Sequence, residues 1–214
     1  MLNVAIIPAR GGSKRIPKKN IKFFNGEPII AWSIKAAKES KCFDRIIVSS
    51  DSEEILSIAK KYGAETPFIR PKSISDDLTN TTQVINHSIE WLKNNNYDPD
   101  NICCIYPTAP FIQSKYIRIG LTLLEDKEIN FSFPVTSYPY PIQRALKINN
   151  NKITMFYPKN KNIRSQDLES SYHDAGQFYW GKASCWLKEK AVFSEFSAPI
   201  IIPRYLTQDI DTQE

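Results

Sequence analysis

Arg10, Lys14, Arg15, Lys18 and Lys19 place five cations within ten consecutive residues that include no acid. Gly11 and Gly12 in the same loop let backbone N–H groups approach a ligand closely, and Asn20 adds a neutral hydrogen-bonding amide. Charge, close approach and neutral donors together suit a small polyanion; a nucleoside triphosphate carries about four negative charges at neutral pH. The whole chain has 28 Lys and Arg against 23 Asp and Glu, so without these five the remainder balances at 23 against 23. A nucleic-acid binder spreads its basicity over a face. Here it sits in one loop, which argues against a nucleic-acid partner. The loop is neither G-x-x-x-x-G-K-[ST] nor G-x-G-x-x-G.

Asp209-Ile-Asp211 is the second chemical feature. Residues i and i+2 of an extended segment point the same way, so both carboxylates can meet one hard cation. Mg²⁺ takes one or two carboxylates together with phosphate oxygens and waters. Alone, such a pair is better explained as solvated surface charge; beside a phosphate loop it gains weight as a metal site. Arg70-Pro71 followed by Asp77 reads by default as a solvated arginine and a helix-capping acid. Tyr106-Pro-Thr-Ala-Pro110 is a rigid turn that offers Thr108 and a tyrosine hydroxyl to a ligand. His87 falls in a helical pattern as a structural residue, while His173, beside Asp174 in an aromatic segment, could touch a substrate. Cys42, Cys103, Cys104 and Cys185 include no C-x-x-C pair and read as buried thiols, with Cys103 and Cys104 on opposite faces of one strand.

Alternating elements must position these groups. Strands are predicted at 4–9, 45–50, 66–69, 101–106 and 131–137, and helices at 28–41, 53–62, 79–95 and 114–125. Asp51 and Ser52 cap the second helix and Gly63 ends it. Repeated βα units of this length imply a parallel, doubly wound α/β sheet, with ligands bound off the carboxyl ends of its strands. The basic loop lies there. One domain spans 1–214, and 130–182 is set apart as a β-rich insertion or flap suited to dimerisation. Residues 209–214 close on no element, as a truncated end would. No secretory leader and no apolar run of about 20 residues is present, so no membrane partner and a cytoplasmic location are expected.

These residues in this order resemble the CMP-sialic acid synthetase family, cytidylyltransferases that activate nine-carbon acidic sugars. The matching blocks are Ile7-Pro-Ala-Arg-Gly-Gly-Ser-Lys14 with Pro17-Lys-Lys-Asn20, Phe43-Asp-Arg-Ile-Ile-Val-Ser-Ser-Asp51, Arg70-Pro with Asp77, Tyr106-Pro-Thr-Ala-Pro110 and Gln208-Asp-Ile-Asp-Thr212. Tyr172-His-Asp-Ala-Gly-Gln-Phe-Tyr-Trp-Gly181 is most similar to the pseudaminic acid branch. The family usually has Gln where this chain has Tyr106, and Asn-Gly where it has Ala175-Gly176. Both departures point away from N-acetylneuraminic acid.

The resemblance implies a Rossmann-like nucleotidyltransferase fold, a homodimer, Mg²⁺ as cofactor, and the conversion of CTP and pseudaminic acid to CMP-pseudaminic acid and pyrophosphate. The same reaction on N-acetylneuraminic or legionaminic acid is the near alternative; a non-catalytic nucleotide- or RNA-binding protein is the remote one. By family match Arg10, Gly11, Gly12, Ser13, Lys14, Lys19, Asn20, Arg70, Asp77, Tyr106 and Thr108 hold the nucleotide. Arg164 takes the sugar carboxylate, with Gln166, Tyr172, His173 and Gln177 as further sugar contacts. Asp209 and Asp211 carry the metal. Lys19, Arg10 and Asp211 form the catalytic set, with Asp211 or a metal-bound hydroxide as the candidate base.

Overall fold

In the computed structural model, which describes residues 1–212, the buried run of residues 4–7 builds β1 (Asn3–Pro8) into the interior of the sheet. A hairpin of β2 (Phe23–Phe24) and β3 (Glu27–Pro28) leads into α1 (Ile29–Ser40). Next come β4 (Arg45–Ser49), α2 (Glu53–Lys61), α3 (Thr81–Asn94), β5 (Asn101–Ile105), α4 (Ser114–Leu123) and β6 (Phe131–Ser137). An arm carries β7 (Leu146–Asn149) and β8 (Lys152–Met155); β9 (Tyr172–Asp174), β10 (Phe178–Lys182), α5 (Ala183–Leu187) and β11 (Ser197–Ile201) follow.

The main sheet has the order β11-β6-β10-β5-β1-β4, with β9 added alongside β6. β1 is parallel to β4 and β5, and β11 to β6; β10 runs antiparallel between β5 and β6. The result is an α/β sheet, mixed but mostly parallel. Because β10 runs against its neighbours, its first residues lie at the edge where β1, β4, β5 and β6 end. That edge collects the chemically useful loops.

Alternation of side chains divides the core between the two faces. Ala5, Ile7 and Cys103 pack with Ile30, Ile34, Ile55 and Ile117 of the helices on one face. Val4, Ile6 and Cys104 pack with Ile85, Ile89, Leu92 and Trp186 on the other. All four cysteines are free, and burial pushes the Cys103 and Cys104 thiols up, so they stay protonated. Trp180 is fully buried, stacks on Phe43 at 4.9 Å between ring centroids, and donates its indole N–H to Ile117 O at 2.9 Å. Gly120 makes room for it: a Cβ there would stand 2.6 Å from the indole Cδ1.

Local signals set the helix starts. Ser52 caps α2 by accepting from Ile55 N, and Asn80 with Gln83 forms a reciprocal capping box on α3. The expected strand at 66–69 is instead a single parallel bridge between Glu65 and Ile47. Pro67, which has no N–H to donate, stops the pairing there. The segment 130–182 also divides: β6, β9 and β10 belong to the main sheet, and the arm between them carries the β7–β8 hairpin.

Candidate active site

The loop after β1 is tied down before any ligand arrives. Gly11 N donates to Asp51 Oδ1 at 2.8 Å, and Asn20 Nδ2 donates to Arg10 O at 2.8 Å. Gly11 sits so close to the start of α2 that a Cβ would fall 3.1 Å from the Ser52 Cβ. Ile16 is buried and pins the loop to the core, and Lys18, left-handed at φ 53°, turns the chain into a single 3₁₀ turn at Lys19–Ile21. A strand end, an acid and an amide thus fix the backbone that presents the cations.

Each of the five cations meets an acid distant in sequence. Arg10 and Lys14 share Asp77, Arg15 and Lys19 share Asp211, and Lys18 pairs with Glu54. Three acids against five cations leave an excess of two positive charges for a ligand. Hydrogen bonds from Lys14 and then Arg10 hold the exposed Asp77 carboxyl below its ordinary range. Asp211 is pulled upward by desolvation, but Lys19 and Arg15 outweigh that and keep it low. Both carboxylates are therefore ionised at neutral pH.

Arg70 departs from the expectation of a solvated residue. Its side chain is only 3% exposed, its nearest acid is Asp51 at 3.9 Å, and its Nε and Nη2 have no hydrogen-bond partner among the described residues. Burial lowers its affinity for the proton; Asp51 opposes this and Arg10 adds to it. A buried donor left unpaired costs about 1–3 kcal/mol. An oxygen of a bound ligand would relieve that cost.

Three adjoining cavities open at this sheet edge. The first, about 230 Å³, is lined by Arg10, Ser13, Lys19, Asn20, Arg70, Tyr106 and Thr108, together with Thr79, Asn80 and Thr81 at the start of α3. Most residues expected on the nucleotide are thereby in one place, with Gly11, Gly12, Lys14 and Asp77 beside them. A second cavity, about 380 Å³, shares Lys19 and adds Phe23, Phe24, Phe111 and Asp209. The third, about 480 Å³, shares Tyr106 with the first and Asp209 with the second, and is lined also by His173, Asp174 and Tyr179. Lys19 donates to Ile210 O at 2.7 Å and lies 3.3 Å from Asp211 Oδ1, so the loop after β1 and the 209–211 segment meet at the site.

The Cytidylyltransferase family model matches residues 4–205. The chain belongs to the cytidylyltransferase family. It is 46% identical over 215 residues to a pseudaminic acid cytidylyltransferase of Campylobacter jejuni, covering 100% of this chain and 93% of that protein. A CMP-N,N'-diacetyllegionaminic acid synthase of Legionella pneumophila is 33% identical over 222 residues, covering 98% and 90%. In three dimensions the chain is similar to a CMP:2-keto-3-deoxy-manno-octonic acid synthetase solved with CTP. That match has a TM-score of 0.70 at 14% identity, over 99% of this chain and 94% of the other. It supports the Rossmann-like nucleotidyltransferase fold.

Within this cytidylyltransferase, not every expected sugar contact reaches the cavities. Arg164 is paired with Asp167 at 2.7 Å, with a side chain 72% exposed, and neither it nor Gln166 nor Tyr172 lines any of the three. Gln177 does not line any of the three either. It is buried, donates to Leu206 O at 2.5 Å, and accepts from Tyr106 N through its own carbonyl, so it ties β10 to the C-terminal segment. His173 does reach a cavity. Sequence reasoning missed Asp51 as the anchor of Gly11, the Thr79–Thr81 wall and the phenylalanine wall. The capping box at Asn80 was a usable signal, because helix N-termini favour anions.

Proposed function

We propose that the protein transfers a cytidylyl group from CTP to pseudaminic acid and releases pyrophosphate. One observation carries this reading: a cation-rich loop from the start of the chain closes on the Asp209–Asp211 segment at its end, with Lys19 on the wall of two cavities. The full-length similarity to a pseudaminic acid enzyme, together with Tyr106 and Ala175-Gly176, supports the choice of acceptor.

The acceptor's anomeric hydroxyl attacks the α-phosphorus; a new O–P bond forms and the bond to pyrophosphate breaks. This step needs alignment and charge neutralisation more than covalent help. Arg10, Ser13, Lys14 and the Gly11–Gly12 backbone hold the triphosphate, while Arg70 supplies buried donors to the nucleotide. Lys19 stands where the nucleotide and acceptor regions meet and neutralises charge on the transferring phosphate. Asp209 and Asp211 offer oxygen donors of the kind Mg²⁺ prefers, two carboxylates beside a phosphate-binding cavity. When bound there, the ion screens the charge of the leaving pyrophosphate.

Pyrophosphate release should require both CTP and sugar, with pseudaminic acid used better than N-acetylneuraminic or N,N'-diacetyllegionaminic acid. Equal or better turnover of N-acetylneuraminic acid overturns the acceptor assignment, and no release with any of the three overturns the transfer reading. A homodimer is part of the same proposal. Leu146, Ile148, Ile153 and Phe156 on the arm are 56–70% exposed, more apolar surface than a free hairpin favours. Light scattering should give about twice 24.6 kDa; a monomer at assay concentration rejects it.

A further inference from the structure

The 480 Å³ cavity contains an anion that the chemistry above leaves unused. Asp174 lies at the end of β9, where its Oδ1 accepts from Gly176 N at 2.9 Å and its Oδ2 accepts from the Tyr179 hydroxyl. Burial above all pushes the Tyr179 phenol up, which keeps that hydroxyl protonated and donating. These two bonds fix the carboxylate, and neither neutralises it. Among the described residues no Lys or Arg lines the cavity; its other acid is Asp209. An ionised carboxylate has about four lone-pair sites and only accepts hydrogen bonds. Two sites are filled from the protein, and the others face a space next to the nucleotide cavity, across Tyr106.

This geometry constrains an acidic acceptor. Its own carboxylate is repelled by Asp174 and drawn toward the neighbouring cavity, where Lys19 and any ion held by Asp209 would supply positive charge. What then faces Asp174 must be a donor. The sugars named for two relatives, N,N'-diacetyllegionaminate and N-acylneuraminate, carry acylated amines, whose N–H groups only donate. We propose that Asp174 is a specificity residue that accepts a hydrogen bond from an acylamino N–H of the acceptor sugar and orients the sugar with its acid end toward Lys19. The proposal rests on the transferase reading above. A site built to meet one polar group discriminates strongly, because the wrong ligand leaves the site's own group unpaired.

The test is steady-state kinetics of Asp174→Asn, with pseudaminic acid and with N-acetylneuraminic acid as acceptors. Asparagine keeps the shape but removes the charge and half of the acceptor capacity. The KM for pseudaminic acid should rise about 10- to 100-fold, the KM for CTP should stay within about twofold, and the preference between the two acids should narrow. An unchanged acceptor KM with an unchanged preference overturns the proposal. Equal losses for CTP and sugar also overturn it, since they mark a purely structural residue. If Asp174→Asn does not fold, Asp174→Glu decides on the same two KM values, because it keeps the charge but moves it by one methylene. Wild-type enzyme inactive on every acidic sugar would instead sink the transferase reading, which separates the two failures.

Discussion

Lys19→Met should lower kcat by about 10²- to 10³-fold with the fold intact. Methionine keeps the unbranched stem and removes the ammonium. Of the five loop cations, Lys19 is the one that lines both the nucleotide cavity and the cavity next to Asp209, so its charge sits where the transferred phosphate must pass. The substitution removes a hydrogen bond to Ile210 O and an ion pair with Asp211, the latter partly exposed and worth about 0–1 kcal/mol. Stability should change little, and a urea midpoint near wild type would confirm that. The division between parameters is decisive. A raised KM for CTP with unchanged kcat would mean that Lys19 only binds ground-state substrate, and its transition-state role would be wrong. Lys19→Arg should not restore the full rate, because a planar guanidinium does not place its charge where the ammonium did.

The βα alternation could be read from the chain because burial on both faces makes β1 and β5 continuous apolar runs, while the helices show a 3.6-residue period. Chemical caps made several boundaries legible too: Ser52 before α2 and Gly63, at φ +89°, just after it. Strand direction was not legible. Periodicity does not reveal that β10 runs antiparallel, yet that reversal is what brings residues 173–177 to the catalytic edge. The β2–β3 hairpin was legible and was overlooked. Asn25-Gly26, both at positive φ, is a strong two-residue turn signal, and it sets Phe23 and Phe24 into the wall of the second cavity. The burial of Arg70 was hidden for a different reason. Its local sequence looks solvated, and only β4 and the loop after it, through Arg70 N to Ser50 O, draw it inward. Ion pairs such as Lys19 with Asp211, 192 residues apart, follow from no spacing rule. They came into view because both partners belong to motifs whose chemistry requires each other.

Asp211→Asn should reduce turnover by about 10³-fold or more with little loss of stability. The change is isosteric, and the carboxylate is 38% exposed, paired with Arg15 at 2.9 Å and Lys19 at 3.3 Å. Exposed pairs of this kind add little to folding. Two roles for the residue then compete. If Asp211 only positions Lys19, the variant loses rate but its dependence on Mg²⁺ concentration stays that of the wild type. If Asp211 helps to hold the ion, half-maximal rate should require about 10- to 100-fold more Mg²⁺, while CTP binding measured without Mg²⁺ is unchanged. The second outcome is expected. Asp211 is the member of the pair kept ionised by neighbouring cations, and Asp209 opens onto the cavities on either side. Wild-type turnover in Asp211→Asn would remove the 209–211 segment from the chemistry, and its contact with the loop after β1 would then be structural alone.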